Sequence, residues 1–356
     1  MKPGVLVISH GSREAEWVRL VEEAVAAAAA QAEVFWLTGL AGVGGQTGDG
    51  RTPSVGSRPP VTGCEPGIGV QTGDGRTPSV DSRPPVTGSE PGIGVQTGDG
   101  RTPSAGSQPP VSGSEPSIGG QTSNDRRLPV VSSFLEIVEG RLIQDGLDRL
   151  EAEGVTELYV LPLFVSSGST HVDDIAQAFG LPPVSPARAG ELEPLRCGGM
   201  RVHFGQPIDD DADIAELLLA NIRELSEAPE RERLLLVAHG SREAGFFARW
   251  RGGMTRLAER MRQGGGFAGA DTAMLLPDQA ACKLRALQRK RPGQNVIVVP
   301  LFLSVGYFTR TVIPSRLSGL QYRYNGRAML PSPYISQWMG GQIAAWLENR
   351  DPNRIE

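Results

Sequence analysis

Cysteine is nearly absent: the 356-residue chain has three, Cys64, Cys197 and Cys282, and no CxxC pair. They build neither a disulfide framework nor a cysteine-rich zinc or iron–sulfur site, and a reducing cytoplasm is the expected setting. Long apolar runs are missing too. No window reaches the roughly 20 residues that span a bilayer, and the apolar part of MKPGVLVISHGSREAE is too short for a signal-peptide core. Positive charge is not in excess. A net charge of -5 at pH 7 gives no reason to expect nucleic acid or an anionic membrane as a partner. There is no GxxxxGK[ST] phosphate loop, no GxSxG nucleophile elbow and no HExxH. Ser12 and Ser241 lie near histidines, but neighbours on one turn do not make a nucleophile–base pair.

Glycine and proline are abundant, with 46 and 28 residues, and they are unevenly spread. From about Gly39 to Pro129 a block of about 25 residues recurs: GQTGDGRTPSVGSRPPVTGCEPGIG, VQTGDGRTPSVDSRPPVTGSEPGIG and VQTGDGRTPSAGSQPPVSGSEPSIG. Each unit has few aliphatics and no aromatic. Stacking such units would bury too little apolar surface to offset a backbone ordering cost of about 1–2 kcal/mol per residue. A disordered insert is therefore expected, rather than a solenoid.

Outside that block the chain repeats itself. Val5–Arg13 reads VLVISHGSR and Leu234–Arg242 reads LLLVAHGSR. A short apolar run that stops at glycine and small polar residues is the pattern of a buried parallel strand. His10 and His239 then fall at strand carboxyl ends, where open α/β sheets bind ligands. A helix is expected from Glu14 to about Ala32, with Trp17, Leu20, Val21 and Val25 on one face. Strand Pro129–Ile137, helix Val138–Glu153 with Leu142, Ile143, Leu147 and Leu150 inward, strand Leu158–Val165, strand Met200–Ile208 and helix Asp213–Leu225 follow. After a charged linker, Pro229–Arg233, come strand Leu234–Ala238, helix Glu243–Arg262, strand Thr272–Leu276, basic helix Asp278–Lys290 and strand Val296–Leu303. A helix from near Thr309 and another over Tyr334–Leu347 end the chain. The fold class is α/β with parallel sheets: two βαβαβαβα halves, 1–228 and 229–356, related by duplication. His10 and His239 are 229 positions apart and Pro162 and Pro300 only 138. The first half thus carries about 91 extra residues, the length of the repeat block.

Four histidines exist: His10, His171, His203 and His239. His10 ends the first strand, Glu136 closes the second, and His171 follows the third after a short Ser/Gly loop. Two imidazoles and a carboxylate on one rim suit Fe, Co, Ni or Zn; the plainer reading makes each a turn or capping residue. Asp173 and Asp174 read as first-turn helix carboxylates, and His203 as a core or surface residue within its strand. Laying LPLFVSSGSTHVDDI over VPLFLSVGYFTRTVI sets Thr309 opposite His171 and Val312 opposite Asp174; AMLLPDQ sets Leu276 or Pro277 opposite Glu136. One full site per chain is expected, in the first half. The second half gains Lys283, Arg285, Arg289, Lys290, Arg291, Arg310 and Arg316, either a solvated basic face or an attraction for a polycarboxylate.

HGSR after the first strand, SSFLE on the second and PLFVSSGSTHVDDI on the third resemble the CbiX/SirB family of class II tetrapyrrole chelatases, the sirohydrochlorin cobalto- and ferrochelatases. The resemblance covers both halves; the insert has no counterpart in it. It implies two flavodoxin-like lobes with the active site in the cleft between them. It also implies ATP-independent insertion of Fe2+, Co2+ or Ni2+ into sirohydrochlorin, serving siroheme or cobalamin synthesis, with no cofactor besides the substrate metal. His10, His171 and Glu136 would handle the metal. Ser9, Gly11, Ser12, Arg13, His239, Arg242 and Arg310 would meet the tetrapyrrole. A non-catalytic metal carrier or a nickel-inserting chelatase is the alternative.

Overall fold

The computed structural model describes residues 1–41 and 127–350; the repeats, Cys64 and nearly all of the expected disordered insert lie outside the described residues. β1 (Pro3–Ser9) is buried along its whole length. It is the second strand of a four-stranded parallel sheet with β2 (Val130–Phe134), β3 (Glu157–Pro162) and β4 (Arg201–Phe204), in the order β2-β1-β3-β4. Ser9 pairs with Phe134 and Ile8 with Pro162, so the three chains leave the sheet together at its carboxyl edge.

A second parallel sheet contains β5 (Glu232–Gly240), β6 (Gly269–Leu276) and β7 (Asn295–Pro300), in the order β6-β5-β7. The full βαβαβαβα plan expected of this half is not completed. Its fourth strand is reduced to one bridge, Ile297 with Arg323. Gly319 and Gly326, both at positive φ, bracket this segment. The Arg323 backbone makes that bridge, its N–H donating to the Val296 carbonyl and its carbonyl accepting from the Val298 N–H, both at 2.9 Å, while its guanidinium bonds the buried Glu232 carboxylate at 2.9 Å.

Side chains along β1 and β5 alternate between two destinations, as strand geometry requires. Val5, Val7, Leu234 and Leu236 enter one core shared by both sheets. Leu6 and Ile8 pack outward with Ile143, Leu147 and Ile175, and Leu235 and Val237 with Leu284 and Ile313. With helices on both faces neither strand has a wet side, which is why both read as unbroken apolar runs. Each fully buried aliphatic contributes about 1.5–3 kcal/mol.

The shared core is completed by α1 (Ala15–Ala41), α4 (Ala212–Ile222), α5 (Ala244–Gly265) and α8 (Pro333–Asn349). α1 runs past the expected end at Ala32, so Gly39 is helical, and Leu128 and Pro129 are buried. Both edges expected of the insert therefore belong to the folded chain. α2 (Ile143–Ala152) starts later than expected, because a turn occupies 135–142 and Leu142 is its half-exposed N-cap, with its N–H bonded to Asp145 at 2.7 Å. The outer faces carry α2, α3 (Thr170–Ala178), α6 (Ala280–Lys290) and the short α7 (Ile313–Arg316).

α8 reaches back to the first sheet. Trp346 stacks on Tyr159 of β3 at 5.1 Å, and Arg350, just past the helix, bonds the buried Glu157 at 2.9 Å. α8 lies close to α1 because Gly340 has no side chain to hold off Gln31.

Candidate active site

The turn after β1 is fixed by its own backbone. Trp17 on α1 donates its indole N–H to the His10 carbonyl at 2.7 Å. The His10 Nδ1–H donates to the Gly11 carbonyl at 2.8 Å, which leaves the Nε2 lone pair free. Nε2 lies 3.5 Å from Glu136 Oε1. Glu136 arrives there because the β1–β2 ladder continues through Leu135 N–H to the Ser9 carbonyl at 2.8 Å. The chain then reverses in a three-residue γ-turn: the Val138 N–H bonds the Glu136 carbonyl at 2.8 Å, with Ile137 between them at φ 73°. A β-branched residue held there costs about 1–3 kcal/mol, a strain typical of functional sites.

His171 sits in the first turn of α3. Its ring meets that of His10 edge-on, with centroids 4.9 Å apart, and lies 6.5 Å from Phe164. Burial pushes its pKa below the ordinary 6.5, and the neighbouring His10 adds to that push; Asp174, Glu136 and Glu191 oppose it. Near neutral pH His171 is therefore an uncharged imidazole, able to ligate a metal or accept a proton. His10 and Glu136 are 43% and 52% exposed. Among the described residues no group of three His, Cys, Asp or Glu is drawn together to enclose an ion. His10, Glu136 and His171 form an open rim. Grooves lie elsewhere, around Arg141 between α1 and α2, around Lys2 and Pro129, and over α6 beside Cys282.

The loop carrying His171 is set by residues outside the motif. Asp209 Oδ1 accepts from the Ser166 hydroxyl at 3.0 Å and the Ser167 N–H at 2.9 Å. Its neighbours do other work: Asp211 caps α4 through the Asp213 N–H, and Asp210 pairs with Arg256 on α5. Gly168 lies against α5, where a Cβ would come within 2.6 Å of the Phe246 carbonyl and 2.7 Å of the Trp250 nitrogen. Arg188 joins Asp174 at 3.2 Å to Glu243 at 3.6 Å, just after the second HGSR turn. The segments after β3 and β5 are thus in contact.

The remaining expected residues divide. Ser9 is fully buried, with its hydroxyl unpartnered inside the sheet, so it offers a ligand no surface; this corrects its expected contact with the tetrapyrrole. Gly11 is buried against Glu136, and the Ser12 hydroxyl accepts the Glu14 N–H at 3.1 Å. Arg13, Arg242 and Arg310 are exposed and, among the described residues, have no ion pair. Asp173 and Asp174 are buried structural carboxylates that hold the Val184 N–H and Arg188. His203 bonds Glu157 at 2.9 Å. Arg316 is tied to the Leu275 carbonyl, whereas Lys283, Arg285, Arg289, Lys290 and Arg291 are exposed along or just after α6. The sequence reading missed Asp209, Trp17's hold on His10 and the Ile137 turn. Only Asp209 left a trace, in a run of three aspartates longer than one helix start needs.

At the second lobe the same backbone carries different side chains. A Cβ on Gly240 would meet the Leu276 carbonyl at 2.4 Å, as one on Gly11 would meet that of Glu136 at 1.7 Å. Leu276 is therefore the counterpart of Glu136. The His239 Nδ1–H donates to the Gly240 carbonyl at 3.1 Å, but the ring edge-on to His239, at 5.2 Å, is Phe308.

Two parallel sheets, each with an HGSR turn at its carboxyl edge, define a two-lobed chelatase-type α/β protein. The CbiX family model matches residues 120–225 and 233–350, more than half of the chain, and the chain belongs to that family. β1, α1 and His10 precede the first matched segment. SirB from Bacillus subtilis, in a structure with Fe3+, is similar with a TM-score of 0.52 at 14% identity, over 98% of each chain. The sirohydrochlorin chelatase SirB from Bacillus subtilis subspecies spizizenii, in complex with cobalt, gives 0.49 at 14% identity over 99% of this chain and 98% of that one. The first likeness supports the fold; the second is too loose to add to it. No curated protein matches the chain.

Proposed function

We propose that this protein inserts Fe2+ or Co2+ into sirohydrochlorin, without ATP, in siroheme or cobalamin synthesis. In this reading residues 1–228 handle the metal and 229–356 close the cleft over the macrocycle. The observation that carries it is the meeting of His10, Glu136 and His171 at one open rim, with the His10 and His171 rings 4.9 Å apart. The reaction exchanges two pyrrole N–H bonds for bonds to the metal and releases two protons. The incoming ion must shed water for ligands weak enough to release it again, which suits an open pair of imidazoles and one carboxylate. Neutral His171 and the unprotonated Nε2 of His10 stand where they can accept the departing protons, and Glu136 lies beside them. Arg13, Arg242 and Arg310 are free to meet peripheral carboxylates. The test is absorption spectroscopy of sirohydrochlorin mixed with Co2+ or Fe2+ and the protein. Metallation well above the uncatalysed rate is expected; metal binding with no change in that rate would favour the carrier.

A further inference from the structure

The second lobe keeps a histidine without a metal set. Around His239, Phe308 lies edge-on at 5.2 Å, Phe302 stacks on Phe308 at 5.5 Å and 14°, and Tyr307 adjoins Phe308 at 5.9 Å. Thr309, aligned with His171, is buried, and its hydroxyl is used within the turn by the Gly306 backbone at 3.0 and 3.1 Å. The Tyr324 hydroxyl donates to the Thr309 carbonyl at 2.7 Å and fixes the turn from behind. A π-helical turn, Phe308–Val312, begins here, a feature frequent at functional sites.

What this turn presents outward is apolar. Tyr307 is 70% exposed and Val305 39%. Among the described residues seven large hydrophobics are this exposed; Val305 and Tyr307 follow β7, and a third, Ile137, is the strained residue beside Glu136. Three of the seven thus lie just past the carboxyl ends of strands, Ile137 in the first sheet and Val305 and Tyr307 in the second, where Arg242 follows β5 and Arg310 follows β7, both exposed and, among the described residues, without an ion pair. An aromatic surface bordered by cations fits a conjugated ring edged with carboxylates.

We propose that Val305, Tyr307 and Phe308 form the platform on which the face of the tetrapyrrole rests, so that the second lobe holds the ring while the first handles the metal. This rests on the chelatase reading. The Tyr307 ring packs on the macrocycle; its hydroxyl is dispensable, and none of the three residues contributes to metal binding.

The test compares the full-length wild type, Tyr307→Ala and Tyr307→Phe in three assays: quenching by metal-free sirohydrochlorin, Co2+ binding without tetrapyrrole, and chelation kinetics. Tyr307→Ala is expected to raise the Kd and KM for sirohydrochlorin about tenfold, the scale of one lost stacking contact. Its Co2+ affinity and kcat should stay within about twofold of wild type, and Tyr307→Phe should match wild type throughout. An active wild type with an unchanged Kd in Tyr307→Ala overturns the platform alone, as does weakened Co2+ binding in that variant. A wild type that neither binds nor metallates sirohydrochlorin overturns the platform and the chelatase reading together.

Discussion

Gly11 and Glu136 are interlocked: a Cβ on Gly11 would lie 1.7 Å from the Glu136 carbonyl oxygen. The first HGSR turn can close only over a bare backbone, and in closing it sets His10 Nε2 beside the Glu136 carboxylate. Gly11→Ala must push the two turns apart. It is expected to cost about 1–3 kcal/mol of stability, the usual range for overpacking, and to weaken Co2+ binding. Gly240→Ala, whose Cβ would meet the Leu276 carbonyl at 2.4 Å at a φ of 79°, is expected to destabilise while leaving Co2+ binding intact. Urea unfolding and Co2+ absorption together check both.

His171 gives a pH prediction with a defined sign. Its folded-state pKa lies below 6.5, through burial first and His10 second. As the pH falls through 6.5 the unfolded imidazole takes up its proton before the folded one, so stability drops on the acid side until the folded pKa is passed. His171→Gln should flatten that slope. By NMR titration the His171 ring is expected to titrate below 6.5, and in His10→Gln to move upward but remain below it, because burial persists. An unshifted pKa in the wild type would count against this packing.

Glu157, 2% exposed at the start of β3, is held by Arg350 and His203, both at 2.9 Å. Arg350→Ala leaves that carboxylate buried with one partner fewer and is expected to cost about 3–5 kcal/mol. Adding Glu157→Gln should recover much of the loss. Chemical denaturation of the two variants measures it; equal loss in both would mean that Arg350 acts only by stacking on Trp36 and Trp346.

Most of the sheet architecture was legible because β1 and β5 are buried on both faces and therefore read as continuous apolar runs. The rim was legible because His10, Glu136 and His171 each follow a strand, and parallel pairing brings such ends to one edge. Side-chain destinations decided by long-range contacts were not. α8 was expected as the helix that ends the chain, but that its Trp346 stacks on Tyr159 of the first sheet is a choice that helical periodicity does not encode. Ungapped alignment set Thr309 opposite His171; Thr309 is buried with its hydroxyl bonded to the Gly306 backbone, and the ring that meets His239 is its neighbour Phe308. Leu276, rather than Pro277, proved to be the counterpart of Glu136 only through its carbonyl's approach to Gly240.

The central claim, that one rim in the first lobe handles the metal, is tested most directly by the initial rate of Co2+ insertion into sirohydrochlorin. The comparison is wild type against His10→Ala, Glu136→Gln, His171→Ala and His239→Ala. The expected result is a loss of at least about a hundredfold in His10→Ala and His171→Ala, as for other removed acid–base groups, a smaller loss in Glu136→Gln and the smallest in His239→Ala. Wild-type rates in His10→Ala and His171→Ala, or a larger loss in His239→Ala than in either, would contradict it.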